Sequence, residues 1–418
     1  MVQAFTIRRS CLPSSAALHN VRILLLTPRP PWPPIDGGRI AMGRLAEGLL
    51  RAGASVEIVS LNPRKHRVAV VQAPLPMQTI DIDTSRVVGP ALSRGTPFIV
   101  ARFLSGEFHD AIRAALPRFK PDVVQIESPF LLPYVATVRE ESGARVVLRS
   151  LNVEFRIWEG LVRNERSALR RFALRRVAAS LRAYEVRQLN TADAIVPIST
   201  EDGEEFRRLG CMRPMHVVPC GITPGDLPAN APESGTVGFI GSLDFRPNQE
   251  AVMWIVDELW PRVIERAPEA HLSIAGSSAP DWLRRHAAGK NIEFLGTVDD
   301  ARAFLTRMSV VIAPLFAGGG MRIKVLEAMA LARPVVATTL GAGGIDVESD
   351  RDIIIADDVM AFAGGVTRLL REPGTAARIG DAARNTVRDR YDNDTLARGL
   401  LRFYESLLRL MSGVIRGG

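Results

Sequence analysis

Short apolar runs, each followed by a turn and helix-compatible sequence, restrict this chain to a parallel α/β architecture. Such runs occur at 21–27, 55–61, 122–126, 145–148 and 194–198, and again at 237–240, 272–275, 292–295, 310–313, 334–338 and 353–355. Between the two sets, 219–235 is rich in Pro and Gly and reads as a linker. The first unit sets the pattern. Strand 21–27 is followed by a Pro-rich loop, then Gly37-Gly38, then a helix with Met42, Leu45, Ala46 and Leu49 on one face and Gly53 placed to end it. The final segment, 393–411, carries Leu396, Leu400, Phe403, Leu407 and Leu410 on one stripe and reads as a long amphipathic helix. Two doubly wound domains are therefore expected, at 21–218 and 236–391, with 392–418 as a C-terminal helix. Residues 1–20 lack the apolar core of a secretory signal and read as a disordered leader.

Charge narrows the partners. Lys and Arg number 53 against 45 Asp and Glu, a formal net charge of +8. That excess favours a polyanionic neighbour: nucleic acid, anionic lipid or a phosphorylated small molecule. Only four of the basic residues are lysines, Lys65, Lys120, Lys290 and Lys324, so a lysine in a chemically useful place is informative. Three cysteines, Cys11, Cys211 and Cys220, without C-x-x-C spacing exclude a disulfide scaffold and fit a reducing compartment. No stretch of about 18 apolar residues is present to span a bilayer.

The most informative stretch is 313–330, which reads APLFAGGGMRIKVLEAMA. A buried strand ends near Pro314, Gly318, Gly319 and Gly320 follow, and a helix is expected from about Arg322. Three glycines cost much backbone entropy, and they let a backbone approach a ligand closely. The helix start behind them, including Met321 and Val325, offers unpaired N–H groups and a partial positive charge. Arg322 and Lys324 lie in the first turn, where a cation is disfavoured by roughly 0.3–1 kcal/mol unless an anion joins it. Glu327, about one turn deeper, can accept hydrogen bonds from a ribose diol. Diphosphate at the glycines and ribose at the glutamate together describe a nucleotide.

This pattern resembles the nucleotide-sugar site of GT-B glycosyltransferases, in the large retaining class numbered family 4 (glycosyl transferases group 1). The matching residues are Leu326-Glu-Ala-Met-Ala330, Pro334-Val-Val-Ala-Thr338 and Gly341-Ala-Gly-Gly344. The Gly-Gly-Gly loop followed by a basic pair is similar to a subgroup linked to bacterial exopolysaccharide synthesis. The resemblance implies two Rossmann-like domains facing a central cleft, with the C-terminal helix crossing back to the N-terminal domain. It implies a hexosyltransferase that moves a sugar from a UDP- or GDP-linked donor to a glycan or polyprenyl-linked acceptor, with retention and without metal or resident cofactor. Gly241, Ser242, Arg246 and Asn248 would form a second donor loop, Gly37 and Gly38 would line the acceptor and phosphate side, and Arg246, Lys324 and Glu154 would carry catalysis. Asn152, Glu154 and Glu127 would be polar groups of the cleft. Two positions depart from the family pattern: Gly319 stands where a first glutamate is usual, and Leu151 where a histidine is usual.

Residues 160–190 carry Arg163, Arg166, Arg170, Arg171, Arg175, Arg176, Arg182 and Arg187, with Leu169, Phe172, Val177, Leu181 and Tyr184 near one face. Such a helix can lie on an anionic membrane, so a cytoplasmic enzyme peripheral to the inner face of the plasma membrane is expected. No aromatic interleaving or reader motif points to nucleic acid. Asp81-Ile-Asp83 matches a short metal-binding pattern but lies outside the expected cleft loops, and the six histidines lack ligand spacing. Two rival readings are a non-catalytic nucleotide-sugar-binding protein of the same fold and an NAD-dependent oxidoreductase using 341–344. The second lacks the G-x-G-x-x-G spacing.

Overall fold

The computed structural model describes residues 20–64, 67–69, 73–85, 96–165, 167–223, 232–318 and 320–414. The leader before Asn20, the linker residues 224–231, and also Lys65, Arg166 and Gly319 lie outside the described residues.

The first half forms strands β1 (Arg22–Thr27), β2 (Ser55–Pro63), β3 (Met77–Ile82), β4 (Val123–Ile126), β5 (Arg145–Ser150) and β6 (Ala194–Pro197). The second half forms β7 (Thr236–Ile240), β8 (His271–Ala275), β9 (Ile292–Gly296), β10 (Val310–Ala313), β11 (Val335–Ala337) and β12 (Ile354–Ile355). Each half is one six-stranded parallel sheet, in the orders β3-β2-β1-β4-β5-β6 and β12-β11-β10-β7-β8-β9. Central strands such as β1 and β10 are buried on both faces, which is why they read as continuous apolar runs. Both sheets have the same doubly wound order. Each therefore has a switch point, between β1 and β4 and between β7 and β10, where loops at the carboxyl ends diverge and leave a crevice.

One strand escaped the sequence reading. Met77–Ile82 is an edge strand with no fully buried residue, and its sequence MQTIDI has no apolar run. Its Asp81 accepts from Asn62 at 3.0 Å and pairs with Arg67, while Asp83 accepts from Ser85 and lies 3.7 Å from Arg64. The expected single basic helix over 160–190 is instead two, Glu154–Asn164 and Ala168–Gln188, because Ser167 caps the second. Its apolar stripe also divides: Leu181 and Tyr184 are buried, whereas Leu169 and Phe172 are 80% and 60% exposed.

The Asn393–Val414 helix crosses back to the first half, where Ala397, Leu400, Leu401, Tyr404 and Leu407 join a core with Val21, Ile23, Leu25 and Leu45. The buried Tyr404 hydroxyl donates to Gln125, whose amide donates to Glu127. Glu127 also accepts from Arg149 at 2.9 Å, both side chains being fully buried. Glu127 is thus not a polar group of the cleft but half of an internal ion pair, and removing either partner would strand a buried charge. At the head of the same helix, Asn393 donates to the carbonyl of Arg44 at 2.7 Å, and its backbone N–H bonds Ile222. Gly48, on the Gly37–Arg51 helix, allows this approach: a Cβ there would lie 2.7 Å from Asn393 and 2.9 Å from Ala397. We expect Gly48→Val to lower the thermal unfolding midpoint through overpacking of ~1–3 kcal/mol. Gly374→Ala, inside the Pro373–Arg390 helix and with an added Cβ that meets nothing within 4 Å, should not lower the midpoint.

Candidate active site

Two helix N-termini approach each other across the crevice. The Gly37–Arg51 helix follows β1, and a Cβ on Gly37 would lie 3.5 Å from Ile323 Cδ1, the first residue of the Ile323–Ala330 helix that follows β10. The first N-terminus is already capped by a carboxylate. Asp36 accepts from the backbone N–H of Arg39 at 3.1 Å and pairs with Arg39 and Arg29, whose guanidinium packs where a Gly38 side chain would stand. The second has no side-chain cap and no acidic residue in its first turn.

Cations gather at that uncapped end. Burial holds the Arg322 guanidinium down to about 10. Burial first, and then the charge of Arg322, bring the Lys324 ammonium down to about 7. Lys324 Nζ lies 4.4 Å from the centre of the Phe239 ring and 3.3 Å from Asn248 Oδ1. Among the described residues it meets an aromatic face and an amide oxygen rather than a carboxylate. Asn248 is buried and fixed by a 2.8 Å bond from Nδ2 to the Ser242 carbonyl; a side chain on Gly241 would displace it. The loops after β7 and β10 therefore meet at Lys324, at the switch point of the second sheet.

The glycine loop has the conformation its sequence requires. Gly318 and Gly320 have φ of 107° and 73°, which disfavour any side chain. A Cβ on Gly320 would collide with Asn152 Oδ1, so the loop after β5 in the first half seats directly against the glycine loop. Met321 packs beside Gly344. Val325 is fully buried in the core, and its backbone N–H, expected to be unpaired, donates to the Arg322 carbonyl at 2.9 Å.

Other expected residues fall less directly into the site. Arg246 begins the Arg246–Trp254 helix, 60% exposed, and turns along it to Glu250 at 2.8 Å. Ser242 Oγ donates to Asp244 at 2.7 Å. Glu154 begins the Glu154–Asn164 helix beside Asn152, and its carboxyl is pushed up to about 7 by burial, against the opposing hydrogen bond from Asn152 and the charge of Arg29. The Glu154 backbone N–H donates to Glu185, whose own carboxyl is raised to about 8 by burial and by Glu154. The turn at 341–344 is filled by the chain itself. Thr338 Oγ1 accepts from the N–H groups of Leu315 and Gly341, and a Gly341 side chain would collide with the Ala313 carbonyl, so this turn is no dinucleotide loop.

Glu327 has a partner the sequence did not reveal. Its Oε1 accepts from Arg44 Nη2 at 2.7 Å, across the two halves. Arg44 sits between apolar positions of an amphipathic helix, and by itself looks like one more solvated arginine. Arg29 was missed for the same reason.

Comparison with known proteins agrees with this layout. Residues 36–221 match the family model described as "Glycosyl transferase 4-like domain", and 234–372 match "Glycosyl transferases group 1". A phosphatidyl-myo-inositol mannosyltransferase of Mycobacterium leprae is 33% identical over 178 residues, 41% of this chain and 46% of that protein. The chain thus matches about half the length of that relative. Among solved structures, sucrose-phosphate synthase from Thermosynechococcus elongatus superposes with a TM-score of 0.69 at 18% identity, over 93% of this chain and all of that one. Anabaena HepE in complex with UDP gives 0.65 at 14% identity, over 92% and all of that chain. With one such domain on each side of the cleft and a GT-B arrangement of the two sheets, the chain belongs to the glycosyltransferase family.

Proposed function

We propose that this protein transfers a hexosyl group from a UDP- or GDP-linked donor to a glycan or lipid-linked acceptor, retaining the anomeric configuration and using no metal ion, in the synthesis of cell-surface polysaccharide. The observation that carries the reading is the uncapped start of the Ile323–Ala330 helix with Lys324 and Arg322 beside it. As the bond from the anomeric carbon to the diphosphate breaks, negative charge grows on the departing phosphate. Helix N–H groups and the two cations meet that charge in a site that is already ordered. The acceptor hydroxyl adds to the same face of the sugar, and its proton leaves with the departing phosphate. Glu154, whose carboxyl is raised to about 7 and whose neighbour Asn152 packs against the glycine loop, is the group proposed to meet the acceptor. Holding donor and acceptor in one cleft supplies the remaining advantage.

Peripheral membrane contact is part of the same proposal. No helix among the described residues is long and apolar enough to cross a membrane. Exposed Leu169 and Phe172 stand among Arg170, Arg175 and Arg176 on the Ala168–Gln188 helix, a composition suited to an anionic bilayer surface.

Three outcomes are expected. In a panel of UDP-, GDP- and ADP-sugars, at least one donor should be turned over with retention, at a rate unaffected by a metal chelator; tight binding without turnover would instead favour a non-catalytic binding protein. At pH 8 the empty site holds Lys324 largely neutral, and a bound diphosphate restores its charge. Titration with the nucleoside diphosphate in buffers of different ionisation enthalpy should therefore show uptake of up to about one proton. That uptake should be lost in Lys324→Met. On vesicles containing anionic lipid, Arg170→Glu with Arg175→Glu should abolish co-sedimentation, whereas undiminished binding would remove the membrane assignment.

A further inference from the structure

We propose that Arg44 is a positioning residue for the Glu327 carboxylate, so that the ribose side of the donor pocket is assembled from both halves of the chain. The inference rests on the reading of Glu327 as the acceptor of ribose hydroxyls. Arg44 lies on the Gly37–Arg51 helix of the first half, and Glu327 on the Ile323–Ala330 helix of the second. Arg44 Nη2 donates to Glu327 Oε1 at 2.7 Å, with the two side chains only 29% and 22% exposed. A guanidinium is a rigid, planar donor, so this short charge-assisted bond restricts rotation of the carboxylate. Only Oε1 is engaged by Arg44; Oε2 makes no hydrogen bond among the described residues. The carboxylate thus keeps accepting capacity for a diol.

Arg44 is itself held from behind. Its carbonyl accepts from Asn393 of the returning C-terminal helix at 2.7 Å, and Cys220, at the start of the inter-sheet segment, is buried close to both Arg44 and Glu327. Its Nη1 is buried and makes no hydrogen bond among the described residues, so this guanidinium is enclosed between the two halves rather than solvated. A solvated surface arginine would show neither the short bond across the halves nor a buried idle donor.

The test compares binding of UDP and GDP with binding of their 2′,3′-dideoxy counterparts by calorimetry, in wild type, Arg44→Ala, Arg44→Lys, Glu327→Ala and the double alanine variant. Wild type should prefer the ribose forms. Arg44→Ala should weaken the preferred ribose nucleotide about 5- to 30-fold and leave its dideoxy counterpart unchanged, with partial recovery in Arg44→Lys. The double variant should be no weaker than Glu327→Ala. If wild type does not distinguish the two sugars, the ribose reading of Glu327 fails and the inference fails with it. If wild type distinguishes them but Arg44→Ala loses affinity for both equally, or for neither, the positioning role of Arg44 is overturned while the Glu327 reading stands. Should Arg44→Ala not fold, Arg44→Lys carries the same comparison: unaltered discrimination between ribose and dideoxy forms, or equal loss for both, contradicts the role.

Discussion

The site depends on an asymmetry between two helix ends. Both point into the cleft, but the first is capped by Asp36, which also pairs with its neighbouring arginines, and the second has no acidic cap, with Arg322 and Lys324 added to it. Such an arrangement is unfavourable in the empty protein. Holding the Lys324 ammonium at about 7 rather than in its ordinary range disfavours the charged form by on the order of 5 kcal/mol. A helix end and a nearby charge interact by ~0.3–2 kcal/mol, so burial of the lysine is the larger effect. A diphosphate bound there, as proposed, would relieve both at once. Strain of this kind, maintained by packing around Phe239 and Asn248, is what one expects where charge must be met during a reaction rather than where a fold is being stabilised.

The arrangement of the two halves matters as much as either sheet. Glycine at 320 admits Asn152, glycine at 48 admits Asn393, and Arg44 reaches Glu327. The returning C-terminal helix fixes this geometry: Asn393 binds both Ile222, beyond the first sheet, and Arg44 beside the cleft. Farther along, Tyr404 ends in the buried Gln125–Glu127–Arg149 chain. The two facing sides of the cleft therefore share one support.

What could be read from the sequence was what is local in the chain. The glycine loop, the cations and Glu327 lie within ten residues and declare themselves by spacing, as do the strands buried on both faces. Contacts between distant segments left no such trace. Glu127 looked like a cleft acid because Arg149, 22 residues away on the neighbouring strand, could not be paired with it in advance. Arg44 resembles any solvated arginine until the second half is placed opposite it, and Arg29 until the loop after β1 brings it onto Asp36. The edge strand Met77–Ile82 failed because a half-exposed strand needs no apolar run. The break near Ser167 was hidden by arginines and apolar residues that continue through it.

Inorganic pyrophosphate, which has neither ribose nor base nor sugar, isolates the central claim. Its affinity, measured by calorimetry, should fall at least about tenfold in Lys324→Met and remain at the wild-type value in Lys290→Met, an exposed lysine away from the glycine loop. Equal affinity in all three proteins, or no binding to the wild type, would contradict a pyrophosphate grip at this helix end.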